Sequence, residues 1–246
     1  MYLVTIYLFM NLLKKIKSKR YSNINEDIDE EYEFACELLT NKRYNKALEL
    51  LHSLHKKDKS HIKTITKLGI MYRYGWGIDV DMNKAIEYYE KACLLDKDNV
   101  DILFELAYMY QTKLASNTVV NDNKKALKYY NKILALNNNY RQAIKQLSKL
   151  CFFGDGVKNY NLSEYYAEQY LIFDETDSDI LYLLGKINIA KRKHKDAFKY
   201  LEKAVYYSTN KNEDEILVTY LYLLQRYPLR LKQIIINKTN LENNRK

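Results

Sequence analysis

The chain has 246 residues, a formal net charge of +9 and 47% apolar residues, but only one proline and six glycines. This composition is too apolar for a disordered chain and has too few turn residues for an all-β protein, so it favours a helical globular fold. The abundant Lys, Asn, Ile and Tyr are residues that an AT-rich genome favours, so the positive charge alone is a weak argument for a nucleic-acid partner. Because the three cysteines are widely separated and form no CxxC pair, we expect an intracellular, cytoplasmic protein without a disulfide framework.

The N-terminal stretch MYLVTIYLFMNLL is apolar and is followed by the basic cluster KKIKSKR. It is shorter than the roughly 20 residues that span a membrane, and its charges follow the apolar run, unlike those of a secretory signal. Residues 1–29 are therefore expected to be an apolar-basic segment with an acidic linker. Four alternatives stay open: a peripheral membrane anchor in residues 1–20, a frayed amphipathic helix, a cap over the first repeat, or a true start at Met10 instead of Met1.

From residue 30 to residue 207 a helix-turn-helix pattern recurs. Each unit has a small residue in its first helix and another where the apolar stripe of the second helix begins, and the second-helix markers recur every 34 to 41 residues. That period is typical of two-helix solenoid repeats. We expect the small residues to let the paired backbones approach closely while larger side chains fill the flanking grooves. The pairs are Ala35 with Ala47, Gly69 with Ala85, Ala107 with Ala126, Ser148 with Ser163, and Gly185 with Ala197, and Ala92 and Ala204 continue the second-helix stripe.

The turns of the second and fourth units carry glycines, as in GWGIDVD and FGDGVKNYN. Gly75, Gly77, Gly154 and Gly156 are predicted to end the first helix in a left-handed conformation, and Asp81 or Asn83 is predicted to cap the following helix. A phosphate-binding loop would follow a strand and carry GK[ST] or a third glycine before a helix, and this sequence has neither. The glycine loops are therefore interpreted as turns.

The second unit resembles the Sel-one-like repeat, a subclass of the tetratricopeptide-like repeats. The residues that carry the resemblance are Leu68, Gly69, Tyr72, Gly75, Gly77, Lys84, Ala85, Tyr88, Tyr89, Lys91 and Ala92. The fourth unit is similar to a more degenerate copy, the third lacks the loop glycines, and the first and last resemble ordinary tetratricopeptide repeats. The resemblance implies an all-α, right-handed solenoid of about five stacked repeats over residues 30–207. It also implies a non-enzymatic adaptor or scaffold for other proteins, without a cofactor.

In the tetratricopeptide pattern the first helices line the concave side of the stack, where their non-packing positions form a groove. Because these positions are basic and aromatic here, we expect a protein or peptide partner with an acidic or amphipathic segment. The nominated groove residues are Thr66, Ile70 and Arg73 in the second unit, Phe104, Tyr108 and Gln111 in the third, Lys145 and Lys149 in the fourth, and Tyr182 and Lys186 in the fifth.

Other chemistry has less support in the sequence. His52, His55 and His61 lack the further ligands that structural zinc usually needs, so we expect histidines on a solvated helix face and no metal site. Tyrosines beside lysines suit base stacking, but at helical spacing they favour packing, and an RNA-binding repeat is the weakest alternative after a membrane-associated regulator. Residues 208–246 are expected to form a capping helix, ended by Pro228, and a polar tail.

Overall fold

A computed structural model describes residues 27–112, 122–208 and 213–226, and these residues form α-helices joined by turns, without a strand. This confirms the all-α prediction. The expectations for residues 1–20, for the start at Met10 and for Pro228 and the tail lie outside the described residues. The helices are α1 (27–40), α2 (Tyr44–Lys57), α3 (Ile62–Tyr74), α4 (Met82–Leu95), α5 (Val100–Gln111), α6 (Asn123–Leu136), α7 (Arg141–Phe153), α8 (Tyr160–Leu171), α9 (Ser178–Ala190), α10 (His194–Tyr207) and α11 (Glu213–Arg226).

The chain divides into two compact units between residues 121 and 122. The first unit contains α1 to α5 and the second contains α6 to α11, so the division separates the two helices of the third predicted hairpin. From α2 to α5 in the first unit, and from α6 to α11 in the second, each helix packs against the next one along the chain. Packing of sequential neighbours is the arrangement of an α-solenoid, the fold class that the sequence predicts.

Small residues lie between the paired helices of the second, fourth and fifth predicted repeats, as predicted. A Cβ atom added to Gly69 would lie 2.9 Å from the ring of Tyr89, and one added to Gly185 would lie 2.5 Å from Cδ2 of Leu201. The hydroxyl of Ser163 donates a 2.6 Å hydrogen bond to the carbonyl oxygen of Ser148, which ties α8 to α7. The alanine markers are fully buried: Ala35, Ala47, Ala85, Ala92, Ala107, Ala126, Ala197 and Ala204.

The glycine loop of the second repeat is a turn. Gly75 ends α3 with φ 68° in the left-handed region, and Gly77 follows with φ 75°. Asp81 then caps α4, since its carboxylate accepts a 3.0 Å hydrogen bond from the backbone N–H of Lys84. The structure therefore gives these residues the architectural role predicted from the sequence.

The prediction of a left-handed conformation is wrong for Gly154, which ends α7 with φ −71° and ψ 119°. A glycine is still required there because a Cβ would lie 2.5 Å from the carbonyl oxygen of Leu150 and 2.8 Å from Cγ2 of Val157. Gly156, with φ 75°, supplies the left-handed residue of this turn.

The tight turns of the first and last predicted repeats have the same geometry without a glycine. Lys42 and Arg192 occupy the left-handed region with φ 57° and 59°. In both turns the next residue donates a 2.8 Å hydrogen bond back to the carbonyl of a residue five positions earlier, Arg43 to Leu38 and Lys193 to Asn188. A lysine or arginine therefore adopts, at a conformational cost, the left-handed backbone geometry that glycine adopts freely at Gly75.

The helix expected to cap the stack packs on α10 through one side only. Ile216, Leu223 and Leu224 of α11 are buried. Tyr220 is half-buried and packs against Phe198, whereas four other apolar side chains of the helix are between 37% and 65% exposed: Leu217, Val218, Leu221 and Tyr222. A solenoid cap usually presents a polar outer face, so the apolar exposure of α11 differs from what its capping role leads one to expect.

Candidate functional site

The ten nominated groove residues are buried to a similar extent. All of them are half-buried, on α3 and α5 in the first unit and on α7 and α9 in the second. The apolar residues between them, such as Leu68 and Leu106, are fully buried in the helix packing. The non-packing side of each first helix is therefore partly accessible, as a binding face requires.

A cleft of about 380 Å³ lies in the first unit beside α1, α3 and α5. It contains two of the nominated residues, Thr66 and Ile70. Arg73, Phe104, Tyr108 and Gln111 do not line it. The lining residues that sequence reasoning did not nominate are Tyr32, Ile62, Lys63, Lys67, Tyr89, Asn99, Asp101, Ile102 and Glu105.

Arg73 links the cleft to an aromatic surface of α5. Its guanidinium donates a hydrogen bond to the carboxylate of Glu105 and lies 5.2 Å from the ring centroid of Tyr108 and 5.0 Å from that of Tyr74. Tyr108 in turn stacks on Phe104, with ring centroids 6.3 Å apart and an interplanar angle of 19°. Three nominated residues, Arg73, Tyr108 and Phe104, therefore lie next to one another, and cation–π contacts hold the guanidinium against the aromatic rings.

The second unit has a smaller cleft of about 190 Å³ among α7, α9 and α11. Its lining includes three nominated residues, Lys149, Tyr182 and Lys186. The ammonium of Lys186 lies 5.0 Å from the ring centroid of Tyr182 and 5.1 Å from that of Phe153. Phe153 is 57% exposed and was not nominated, although it ends α7 beside the predicted positions.

The cations of the candidate face are paired with carboxylates of the next first helix, of its N-cap or, for Lys186, of the C-terminal helix α11. Arg73 pairs with Glu105, and Lys145 pairs with Asp177. Lys149 lies 3.5 Å from Asp179, and Lys186 lies 3.7 Å from Glu215. Sequence reasoning missed these pairs, whose only signal is an acidic residue about one repeat length after each cation.

The pairing is strong enough to shift a pKa where the cation is half-buried. Burial, the largest single effect, lowers the pKa of Lys145, but the hydrogen bond and charge of Asp177, with smaller contributions from Tyr170 and Asp179, raise the pKa above its usual value. Lys145 therefore remains charged, and its charge is already matched within the chain.

The histidines are not on a solvated face, so that expectation is wrong. His52 Nε2 lies 3.2 Å from the hydroxyl of Tyr72, and the His55 ring packs edge-on against Tyr88 at 5.8 Å. Burial, followed by nearby positive charges, lowers the pKa of both histidines. The third histidine, His61, hydrogen-bonds Thr64 at 2.6 Å.

Two family models match the chain. The one described as Sel1 repeat matches residues 64–97, 102–138 and 141–169, and the one described as tetratricopeptide repeat matches residues 178–211. The Sel1 matches cover the second to fourth predicted repeats, including the third, which lacks the loop glycines. The tetratricopeptide match falls on the fifth predicted repeat. No curated protein matches the chain by sequence.

Solved structures share the fold at low sequence identity. The structure titled as YrrB, a TPR protein with an unusual peptide-binding site, is 20% identical, with a TM-score of 0.63 over 80% of this chain and 96% of that one. PilW, a type IV pilus biogenesis factor, is 15% identical, with a TM-score of 0.61 over 87% and 94%. MamA is 19% identical, with a TM-score of 0.60 over 78% and 96%. Among the described helices of this chain, none has both the length and the apolar character needed to cross a bilayer.

Proposed function

We propose that this chain, a Sel1-repeat protein of the tetratricopeptide-like α-solenoid family, is a non-enzymatic scaffold that binds a protein or peptide on the faces that its first helices form within each unit. Repeat families of this type generally serve as protein-interaction scaffolds. The observation that carries the proposal is the position of the two clefts, each of which lies on first helices and includes nominated groove residues. The handedness of the stack and its concave curvature remain part of the proposal.

A peptide ligand is consistent with the dimensions of the first-unit cleft. Its volume of about 380 Å³ falls at the lower end of the range of pockets that hold drug-sized ligands, so it suits one or two side chains of an extended or helical segment. A peptide-binding site is named for YrrB, which resembles this chain in fold. That description belongs to YrrB and supports the present proposal only as a precedent on a similar scaffold.

The acidic or amphipathic character predicted for the partner remains a prediction. The ion pairs favour the amphipathic alternative, because Arg73, Lys145 and Lys149 already have carboxylate partners. Reversing their charges would bring like charges together, so such variants would report on stability as well as on binding. Uncharged substitutions at the clefts are therefore the better test.

Proximity labelling with full-length protein, followed by mass spectrometry, identifies candidate partners. We expect the double variant Ile70→Ala with Tyr108→Ala to lose the main labelled partner, because both changes remove contact area from the first-helix face. Tyr206→Ala is the matched control, since Tyr206 is 80% exposed near the end of a second helix, α10. Loss of the same partner in the control, or retention in the double variant, would contradict the proposal.

Membrane association is a second proposal, with its own motivation in the sequence. The apolar run of residues 1–13 is followed directly by the basic cluster of residues 14–20, a combination that favours a membrane surface. In cell fractionation, the full chain should sediment in part with membranes and a version that begins at Met10 should shift to the soluble fraction. Identical distributions of the two versions would eliminate this anchor.

A further inference from the structure

We infer that the first-unit cleft selects an uncharged, apolar anchor side chain, and that acidic residues of the partner contribute little to this contact. The inference rests on the proposed function and specifies which kind of partner segment binds in the first-unit cleft. It follows from three features of the described residues: an apolar floor, two polar lining side chains that are already hydrogen-bonded, and rim charges that, except for Lys67, already have partners.

The floor of the cleft is apolar. Ile62, Ile70 and Ile102 line it, together with the ring of Tyr89. Ile102 and Tyr89 are almost fully buried, at 3% and 1% exposure, so they form a fixed base beneath the half-buried Ile70. An apolar side chain that enters the cleft removes its own surface and part of Ile70 from water, which is favourable in proportion to the area buried.

Two polar side chains of the lining, those of Thr66 and Asn99, are already hydrogen-bonded within the chain. Thr66 Oγ1 donates to the carbonyl oxygen of Ile62 at 2.8 Å. The side chain of Asn99 accepts from the backbone N–H of Ile102 at 3.2 Å and donates to Asp96 at 3.1 Å. These groups are therefore occupied without a ligand, and an apolar side chain can cover them without leaving an unpaired donor or acceptor.

The charges at the rim, with the exception of Lys67, have partners as well. Lys63 lies 2.8 Å from Asp29, and Glu105 is bonded to Arg73. Asp101 also has an interaction partner. At Lys63 or Arg73, an incoming carboxylate would have to compete with Asp29 or Glu105, and most of the electrostatic gain would be cancelled by the pair that it breaks.

Lys67 and Ile70 allow the contribution of a charge to be compared with that of an apolar contact in the same cleft. Lys67 lines the same cleft and belongs to the same helix as Ile70, and it forms no ion pair within the part of the chain that the structure describes. If acidic residues of the partner dominated recognition, Lys67 would matter more than Ile70. If an apolar anchor dominates, the order is reversed.

The test uses full-length protein and a library of synthetic peptides of about 15 residues, in which net charge and apolar content vary independently. We expect the wild type to select peptides rich in Leu, Ile, Phe or Trp at a net charge near zero. The affinity of the selected peptides should change less than about twofold between about 50 and 300 mM NaCl, because few charges are released or screened. Circular dichroism confirms that each variant is folded.

Three single substitutions sharpen the test. Ile70→Ala should weaken the selected peptides about tenfold, and Lys67→Ala should weaken them less than about twofold. Glu105→Gln removes the carboxylate partner of Arg73, so this variant should gain binding to acidic peptides that the wild type ignores.

Selection of acidic peptides by the wild type, with affinity that falls steeply as salt rises and depends more on Lys67 than on Ile70, would overturn the apolar-anchor inference and leave peptide binding by this face intact. Absence of any peptide selection, or selection that both Ile70→Ala and Lys67→Ala leave unchanged, would instead count against the groove and hence against the proposed function as well as the inference.

Discussion

At the scale of single residues, Gly69 sets how closely α3 and α4 approach. The position that its Cβ would occupy is 2.9 Å from a ring atom of Tyr89, and that ring is 1% exposed. Gly69→Val should therefore lower the free energy of unfolding by about 1–3 kcal/mol through overpacking. Urea denaturation measures the change. Thr66→Val, three residues earlier at a half-buried position, should change stability by about 0.5 kcal/mol or less, and an equal loss in both variants would contradict the close-approach explanation.

Two single residues should also make the stability depend on the pH. The pKa of His52 and that of His55 are lowered, first by burial and then by neighbouring cations. A histidine with a lowered pKa in the folded state binds fewer protons there than in the unfolded chain. Its contribution to stability is complete above the unfolded pKa of about 6.5 and is lost as the pH falls below it. Melting temperatures between pH 8 and about pH 5 should decline below about pH 6.5. The double variant His52→Gln with His55→Gln should decline less, and an unchanged slope would exclude these two groups as the cause.

At the scale of elements, the tight turns carry strain that glycine would relieve. Lys42 and Arg192 adopt positive φ angles of 57° and 59° on the exposed surface. Lys42→Gly and Arg192→Gly should each raise the free energy of unfolding by up to about 1 kcal/mol, since the left-handed region disfavours residues with a Cβ. Lys193→Gly is the matched control, because its φ of −88° suits any residue and added chain entropy should make that variant slightly less stable. A gain at Lys193 equal to that at Arg192 would contradict the strain argument.

The turns also show how far sequence reasoning extends at this scale. Gly75 and Asp81 could be assigned because a left-handed helix end and a helix cap are local requirements with clear residue preferences. Gly154 was correctly predicted to end its helix, but its conformation was not, because the glycine is required there by the close approach of Leu150 and Val157 and not by a left-handed backbone. The left-handed Lys42 was missed for a related reason, since the turn imposes that conformation on a residue that does not prefer it.

At the scale of the whole molecule, the repeat pattern was predictable because close helix approach demands a small residue once per helix, and the spacing of these residues is visible in the chain. The accessible face of the first helices was predicted from the resemblance to tetratricopeptide repeats. The charge balance of that face could not be predicted, because Arg73 meets Glu105 of the next first helix, and Lys186 meets Glu215 of the C-terminal helix α11, only in the folded chain. The net charge of +9 therefore overstates the positive character of the candidate groove.

Hydrogen–deuterium exchange of the full chain, with and without a partner captured by proximity labelling, measures where that partner docks. We predict slower exchange in α3 and α5, or in α7 and α9, when the partner is bound, and unchanged exchange in α4 and α10. Protection confined to the second helices would contradict a binding face built from the first helices.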